Sequence, residues 1–320
     1  MQDIVRVGLI GTGDIAKQAH LPSLSEFKDV EMAAACDVKK DLAEAVGSQY
    51  GIKSVFTDYR EMLSTIQLDA VYIAVPPQHL LKPAIECFER GLHVFMEKPP
   101  GTTKQETAQM ASAAAKSHSL SMVGFHRRFS PVSVKARALV EERGPIHQCT
   151  ANYVKNLIGQ PPYYQGKASM LTLDVIHALD NLRWLGGEVK KLKSSTRRLY
   201  ADYNNSYNAI LEFESGAIGF LVNNCAAGKR IFSIEMHAKG ISAYVEPEDK
   251  AVIYADNKNE GTVIASAEAA GSQAFHHRAG FSAEDRHFID CVKSGSVPAT
   301  NLEDAVKTME LLEQFCLNSL

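Results

Sequence analysis

The sequence predicts an α/β fold that begins with a doubly wound parallel sheet. Short apolar runs rich in β-branched residues alternate with helix-like segments between residues 5 and 96. Repeated strand-helix order is typical of a parallel sheet covered by helices on both faces. The chain has 320 residues, more than the roughly 100–200 of one domain, so we expect two domains with separate cores.

The predicted strands and helices of the first domain follow one another closely. Strands are expected at Val5–Ile10, Val30–Cys36, 70–75 and 93–96, with a connection at 49–55 and helices over 57–66 and 80–90. In an open α/β sheet, ligands bind beyond the carboxyl ends of the strands. The residues that follow each strand are therefore the first candidates for a site.

Composition narrows the functional classes. Apolar residues make up 45% of the chain and charged residues 22%, as in an average globular protein. A net charge of -3 without a long basic cluster predicts no nucleic-acid partner. The start enters a strand pattern directly, with no secretory signal, and no apolar stretch could span a membrane, so we expect no membrane association and a cytoplasmic location.

The cysteines indicate a reducing environment and no metal site. They are widely scattered and show none of the paired spacings of a zinc site. We expect reduced core residues at Cys36, Cys87, Cys149, Cys225, Cys291 and Cys316.

A glycine-rich turn follows the first strand. Residues Gly11-Thr12-Gly13-Asp14-Ile15-Ala16 form G-x-G-x-x-A before a potential helix. In a dinucleotide site Gly11 permits the tight turn, Gly13 lets the backbone approach a pyrophosphate, and Ala16 allows close helix-strand packing. An ordinary glycine turn is the alternative interpretation, and the next strand bears on the choice.

Asp37 ends the second predicted strand, about 20 residues beyond the glycine turn. A carboxylate there can accept hydrogen bonds from the adenosine ribose hydroxyls and would repel a 2′-phosphate. The sequence therefore predicts NAD in preference to NADP. Lys39 and Lys40 keep NADP open, since they could face a phosphate, although lysines at the start of a helix are more often solvated.

Two later strands end in polar or proline-rich turns. The strand at 70–75 runs into Val75-Pro76-Pro77-Gln78-His79, and the strand at 93–96 into Glu97-Lys98-Pro99. Both turns lie where ligands bind in such sheets.

These motifs together resemble the glucose-fructose oxidoreductase, inositol dehydrogenase and rhizopine-catabolism family, written Gfo/Idh/MocA. The resemblance covers essentially the whole chain and extends through Gly91-Leu-His-Val94, Gly124-Phe-His-Arg-Arg-Phe-Ser-Pro131 and Ala299-Thr-Asn-Leu-Glu-Asp-Ala305. It implies a nicotinamide-binding domain at 1–124 and a substrate-binding and oligomerisation domain at 125–320, with the final helix packing back towards the first.

The resemblance also implies the architecture of the second domain. That domain is expected to be α+β, with a large, mostly antiparallel open sheet whose exposed face joins subunits into a homodimer or homotetramer. Strand-like runs at 148–154, 207–213, 217–223, 231–238 and 242–245 fit this expectation. The implied cofactor contacts are Gly11, Thr12, Gly13, Asp14, Ile15, Ala16, Asp37, Val75, Pro76, Pro77, His79, Glu97 and Lys98.

Oxidation of an alcohol needs a group that stabilises the alkoxide and a group that accepts the proton. Lys98, directly after a strand, is predicted to be catalytic on the strength of the resemblance. A surface ion pair with Glu97 is the alternative. His177 is the second catalytic candidate, since histidine titrates near neutral pH. A helical histidine alone is more often structural, and it is the resemblance that favours the catalytic role. His177 lies in an amphipathic helix predicted over 171–184.

Asp174 completes the predicted catalytic set, but its spacing departs from the family pattern. Members with the usual triad carry Asp-x-x-x-His, whereas Leu173 stands four residues before His177 here. The glycine-rich stretch that precedes it in the family is replaced by residues 165–170. Asp174 is expected to reach the substrate, orient His177 or cap the helix. Asp180 is expected to pair with Arg183 or to face the first domain.

Polar and aromatic residues nearby suit a sugar-like substrate. The predicted substrate contacts are Lys98, Arg128, Asn156, Tyr164 and His177, with Lys155, Tyr163 and Arg127 as further candidates. Packing is an equal alternative for the two tyrosines. His276 and His277 are expected in a solvated or substrate-side loop before a helix that starts near Ser282, without a metal role.

The sequence thus predicts an NAD(P)-dependent oxidoreductase that acts on a sugar, inositol or related polyol. Two alternatives remain open at this point. Some family members use transient oxidation by bound NAD to cleave glycosidic bonds, and their cofactor shows no net change. A regulator that keeps the nucleotide fold but has lost catalysis is conceivable because of Leu173, although Lys98 and His177 argue against it.

Overall fold

A computed structural model describes residues 4–166 and 168–317, excepting the side chains of Cys316 and Leu317. Lys167, within the unusual segment 165–170, lies outside the described residues. The chain divides into two compact units. The first comprises Met1–Phe125 and Phe281–Val306, and the second His126–Gly280 and Lys307–Leu320.

The first unit contains a six-stranded parallel sheet, which confirms the predicted fold class. Its strands are β1 (Val5–Ile10), β2 (Val30–Cys36), β3 (Ser54–Phe56), β4 (Ala70–Ile73), β5 (His93–Glu97) and β6 (Ser121–Gly124). They are arranged in the order β3-β2-β1-β4-β5-β6, and all neighbours are parallel. The strand order reverses between β1 and β4, which is where a ligand crevice forms in such sheets.

Helices connect these strands, and two of them lie close to the helices predicted over 57–66 and 80–90. A π turn, Ala16–His20, leads into α1 (Leu21–Ser25), followed by α2 (Lys40–Tyr50), α3 (Tyr59–Thr65), α4 (Leu81–Glu89) and α5 (Lys104–Ser117). Asp58 caps α3 by accepting the main-chain N–H of Arg60 at 2.8 Å, and Thr103 caps α5. Such caps satisfy N–H groups that the first helical turn leaves unpaired.

The central strands β1, β4 and β5 are buried on both faces. Val7, Ile73 and Val94 have no accessible surface, for example, although they come from three different strands. Continuous apolar runs are the expected sequence of strands covered on both sides. This explains why short runs such as Ala70–Ile73 could be recognised as strands.

The second unit is built on an eight-stranded sheet. Its strands are β7 (Gln148–Asn156), β8 (Val189–Arg197), β9 (Ser206–Phe213), β10 (Ile218–Asn224), β11 (Ala226–Ala238), β12 (Ile241–Glu246), β13 (Lys250–Ala255) and β14 (Thr262–Ala265). The order is β14-β13-β12-β11-β7-β10-β9-β8, with only β7 and β10 parallel among neighbouring strands. The predicted, mostly antiparallel sheet is confirmed. The prediction missed β8, β13 and β14.

Helices cover one face of this second sheet. They include α6 (Pro131–Glu141), α7 (Ile176–Gly186), α8 (Ser266–Ala270) and α9 (Phe275–Arg278), with a π turn at Leu171–Val175 before α7. Both α6 and α7 pack against strands of the sheet. The exposed apolar side chains on the strands are Ile210, Val222, Tyr244, Tyr254 and Val263.

The prediction of an amphipathic helix over 171–184 was only partly right. The segment is a π turn followed by α7, and almost every residue of α7 is buried, including the polar residues Asp180 and Arg183. Asp180 pairs with Arg128, a partner that the sequence did not predict, while Arg183 donates to Glu188 and Thr308. Partners elsewhere in the same unit therefore bury a face that the sequence alone assigns to solvent.

Two helices close the chain, α10 (Phe281–Ser294) and α11 (Leu302–Leu317). The first belongs to the unit of the parallel sheet, where Asp29 holds it in place. The Asp29 carboxylate accepts from Arg286 at 2.8 Å and from Lys293 at 2.8 Å. These two hydrogen-bonded cations hold the pKa of Asp29 well below its usual range, against the opposing effect of burial.

Two predictions from composition concern the cysteines and membrane spans. Cys36, Cys87, Cys149, Cys225 and Cys291 are free and buried, as expected for core thiols, and the side chain of Cys316 is outside the described set. Across residues 4–166 and 168–317, none of the helices is sufficiently long and apolar to cross a lipid bilayer.

Asp29→Asn is expected to lower the free energy of unfolding by about 1–3 kcal/mol at pH 7, because the cations lose a charged acceptor. A carboxyl group with a lowered pKa in the folded state stabilises the fold above its unfolded-state pKa, which is about 4. The difference in free energy of unfolding between wild type and Asp29→Asn should therefore become smaller as the pH falls below about 4. Denaturant unfolding at pH 7 and pH 3 measures it. Asp290→Asn, at an exposed partner of Arg286, should change stability by less than about 0.5 kcal/mol. Equal losses in both variants would contradict the assignment.

Candidate active site

Gly11 makes the turn that follows β1. Its φ is +93°, and a Cβ at this position would lie 2.4 Å from the carbonyl oxygen of Ala74, just beyond β4. Its N–H donates to the carbonyl oxygen of Cys36, at the end of β2, over 2.8 Å. Only glycine fits here, because the backbone is left-handed and the neighbouring main chain is in contact.

Gly13 serves a different purpose. A Cβ built on Gly13 would meet no atom within 4 Å, and its φ lies outside the left-handed region. Helical structure begins at Asp14, and Ala16 packs in the core beside Leu9 and Ala35. The first N–H groups of a helix attract phosphate. The open space at Gly13, directly before this helix start, fits a dinucleotide pyrophosphate.

Asp37 is fixed to the glycine loop. Its Oδ2 accepts from the main-chain N–H of Thr12 at 2.8 Å and from Thr12 Oγ1 at 3.2 Å, while Oδ1 accepts the N–H of Lys39 at 2.9 Å. The link to Thr12 was not foreseen from the sequence. Thr12 is fully buried, so Asp37 is oriented by the same loop that would bind the phosphates. Lys40 pairs with Glu44 on the surface of α2 at 3.3 Å.

The segment after β4 lies beside Gly11. A Cβ on Gly11 would touch Val75 Cγ1 at 3.0 Å, which places Val75 next to the glycine turn. Pro76 is exposed, Pro77 is buried, and Pro77–His79 forms a short 3₁₀ turn with His79 exposed. Val75 and Pro76 therefore border the loop, whereas Pro77 supports the turn from inside.

Glu97 is the last residue of β5, and its carboxylate is buried. Oε2 accepts the main-chain N–H of Lys98 at 3.0 Å, and Oε1 lies 3.0 Å from His20 Nε2. Glu97 therefore does not lie on the surface, where the alternative interpretation of Lys98 placed it. His20 in turn faces Asp285 of α10 at 2.9 Å. Sequence reasoning missed His20 and Asp285, because no spacing rule connects positions 20, 97 and 285.

His177 lies in the first turn of α7 and is 5% exposed. Its ring meets that of His126 edge to face, with 5.0 Å between the centroids. Its carbonyl oxygen accepts from Asn181 Nδ2 at 2.9 Å. The helix and this neighbouring ring leave His177 little rotational freedom.

Asp174 organises a polar cluster at the π turn. Its Oδ2 accepts from Lys155 Nζ at 2.7 Å and from Tyr163 Oη at 3.1 Å, and its Oδ1 lies 3.5 Å from Tyr153 Oη. Asp174 is an acidic residue of the first turn of the π turn, but the N-cap positions are Met170 for the π turn and Val175 for α7. Burial acts to lower the pKa of Lys155, but the Asp174 carboxylate outweighs burial and the pKa is raised. For Tyr163, burial and Asp174 act in the same direction and raise the pKa to about 12.

The other predicted substrate contacts are not gathered in this cluster. Arg128 is engaged through two nitrogens by Asp180, at 2.7 and 2.5 Å. The Asn156 side chain accepts the N–H of Ile158, and Tyr164 is 44% exposed with a φ of +49°.

Two further sequence-based expectations need correction. Arg127 is buried, with its guanidinium 3.8 Å from the centroid of the Phe232 ring, and it donates to Glu248. Its contacts are those of a packing residue. His276 and His277 lie in the helical turn α9 rather than in a loop, and His276 is buried.

Comparison with known proteins agrees with this geometry. Residues 5–125 match the family described as "Oxidoreductase family, NAD-binding Rossmann fold", and residues 137–319 match the "C-terminal alpha/beta domain" of the same family. The chain is similar to D-glucoside 3-dehydrogenase of Escherichia coli K12, with 27% identity over 80% of both chains. It is also similar to myo-inositol 2-dehydrogenase of Thermotoga maritima, with 25% identity over 94% of this chain and 92% of the relative.

A solved structure shows the same fold. The dehydrogenase from Chromobacterium violaceum superposes with a TM-score of 0.90 at 23% identity, covering 99% of this chain and 96% of that chain. Fold and glycine loop thus define a nicotinamide-dependent oxidoreductase. The chain belongs to the Gfo/Idh/MocA oxidoreductase family.

The two glycines of the loop should separate folding from cofactor binding. Gly13→Ala is expected to keep the unfolding midpoint of the wild type but to weaken NAD binding at least about tenfold, because a methyl group enters the space next to the helix start. Gly11→Ala should instead destabilise the fold by more than about 1 kcal/mol, owing to strain and the contact with Ala74. Calorimetric NAD titration and thermal unfolding measure both effects. Normal NAD affinity in folded Gly13→Ala would refute the pyrophosphate assignment.

Proposed function

We propose that the protein is an NAD-dependent dehydrogenase that oxidises a secondary alcohol of a sugar, inositol or related polyol. Two similar curated proteins are named for a glucoside and for myo-inositol, which are both polyhydroxylated ring compounds. The structural observation that carries the proposal is the position of Lys98. It directly follows buried Glu97 at the carboxyl end of β5, in the sheet that carries the glycine loop.

NAD is the proposed cofactor in preference to NADP. The proposed contacts are Gly11 to Ala16, Asp37, Val75, Pro76, Pro77, His79, Glu97 and Lys98. Asp37 supports the preference, because its carboxylate is held in place by Thr12 and Lys39 and would repel a 2′-phosphate. When bound, the nicotinamide accepts a hydride from the substrate carbon.

Lys98 and His177 are the proposed catalytic residues. The Lys98 ammonium stabilises the alkoxide that develops as hydride leaves, in the manner of an oxyanion site. His177 takes the hydroxyl proton, since a neutral imidazole is a competent base near neutral pH. Burial and the His126 ring hold the His177 imidazole in a defined orientation.

Asp174 is proposed to organise the substrate side of the site. It holds an ammonium group and a phenol together, at 2.7 and 3.1 Å. These groups, with the aromatic faces of Tyr153 and Tyr163, suit a hydroxylated ring. Lys155 and Tyr163 thus join Arg128, Asn156, Tyr164, Lys98 and His177 as proposed substrate contacts.

Residues 1–124 are proposed as the cofactor domain and residues 125–320 as the substrate and oligomerisation domain. The apolar side chains on the second sheet, such as Tyr244, Tyr254 and Ile210, support a homo-oligomer formed through that sheet. Five buried free thiols are consistent with a reducing, cytoplasmic location.

The test is turnover of a panel of sugars, inositols and other polyols with NAD or NADP, followed by the absorbance of reduced nicotinamide. Wild type should reduce NAD with at least one of these compounds. Lys98→Met should lower kcat at least about 100-fold, while Lys116→Met, at an exposed position of α5, should leave it unchanged.

Three outcomes would count against the proposal. Substrate cleavage without net change of the cofactor would indicate a redox-neutral hydrolase. NAD binding without any chemistry would indicate a regulator. Full turnover by Lys98→Met would remove Lys98 from the mechanism.

A further inference from the structure

We infer that His20 is a positioning residue for Lys98. Its imidazole connects Asp285 of α10 with Glu97 at the end of β5, and Glu97 fixes the main-chain N–H of Lys98. The inference rests on the catalytic role proposed for Lys98, and it assigns the residues that hold Lys98 in place.

His20 is enclosed in the interior of the first unit. It ends the π turn that follows the glycine loop, and it is 1% exposed. The rings of Tyr72, Phe95 and Phe281 surround it, with centroids at 5.7, 5.0 and 5.6 Å. The aromatic rings enclose the imidazole, whose two nitrogens face hydrogen-bonding partners.

Both ring nitrogens of His20 face carboxylate oxygens. Nδ1 is 2.9 Å from Asp285 Oδ1, and Nε2 is 3.0 Å from Glu97 Oε1. A neutral imidazole has one N–H donor, whereas the imidazolium has two and satisfies both acceptors. Burial opposes the charge, but Asp285 and Glu97 outweigh it and raise the pKa of His20 well above its ordinary value.

Glu97 connects His20 with the main chain at the end of β5. One of its carboxylate oxygens binds His20 and the other binds the N–H of Lys98, so both oxygens are engaged. Gly124 on β6 leaves room for the carboxylate, since a Cβ there would lie 3.1 Å from Glu97 Oε1. The direction in which the chain leaves β5, and with it the start of the Lys98 side chain, is thereby set.

Anchoring of α10 does not by itself explain these buried charges. Asp29 already binds this helix through Arg286 and Lys293, and Arg286 is the residue after Asp285. Apolar replacements of a buried ion pair are often at least as stable as the pair itself. Unlike the Asp29 cluster, the His20 cluster ends at the N–H of Lys98.

The matched variants are His20→Gln and Asp285→Asn, compared with Asp29→Asn and His93→Gln. Asp29 anchors the same helix without contacting His20. His93 lies at the opposite end of β5, where Nδ1 accepts the N–H of Leu120 at 3.0 Å. All four substitutions remove a hydrogen-bonded group from the first unit. Only His20→Gln and Asp285→Asn change the hydrogen bonds that connect Asp285 through His20 and Glu97 to Lys98.

The experiment measures amide hydrogen exchange at Lys98 in the full-length protein, with and without NAD, together with kcat, KM and the Kd for NAD. His20→Gln and Asp285→Asn should speed Lys98 exchange at least about tenfold and lower kcat on the order of 100-fold. KM for the polyol and Kd for NAD should stay within about threefold. Asp29→Asn and His93→Gln should leave both Lys98 exchange and kcat near wild type.

Unchanged Lys98 exchange or unchanged kcat in the His20→Gln and Asp285→Asn variants would overturn the inference. Equal effects on Lys98 exchange and kcat in Asp29→Asn would also overturn the inference, because they would show that His20 acts only through the overall stability of the fold. If His20→Gln does not fold, Asp285→Asn decides the question. Failure of the proposed function is distinguishable from failure of this inference. The first would appear as normal turnover by Lys98→Met, whereas the exchange measurement would still show whether His20 and Glu97 fix the main chain at Lys98.

Discussion

Parallel strands bring their carboxyl ends to one edge of a sheet, and the candidate cofactor site depends on this constraint. The glycine loop follows β1, Asp37 follows β2, Val75 and Pro76 follow β4, and Lys98 follows β5. These residues are far apart in the sequence, yet the strand order places their strands side by side. Gly11 makes the arrangement possible, because it lets β1 end in contact with the main chain beyond β4.

Buried and half-buried charges in both units are held by specific partners. Asp37 is satisfied by Thr12 and Lys39, and Glu97 by His20 and the main chain. In the second unit Asp174 pairs with Lys155. A buried charge without such partners would be costly, so each pairing fixes a side-chain orientation as well as stabilising the charge. Preorganised charges of this kind suit a site where charge develops during reaction.

The sequence was sufficient for features that depend on local pattern. The parallel sheet, the glycine turn and the strand ends at Asp37 and Glu97 follow from apolar runs and their spacing. It was insufficient where partners are distant in the chain. The His20–Asp285 contact spans 265 positions and the Arg128–Asp180 pair 52, and no periodicity records either. Strand β8 was missed because its exposed lysines leave only a short alternation of buried and exposed residues.

Transfer of deuterium from the alcohol carbon of a substrate to NAD tests the central claim most directly. A polyol deuterated at its oxidised carbon should give reduced nicotinamide that carries one deuterium at the hydride-accepting carbon, seen by mass spectrometry and NMR. Hydride transfer between substrate and cofactor requires this result. Reduced cofactor without the label, or label lost to solvent with no reduced cofactor formed, would contradict the dehydrogenase function.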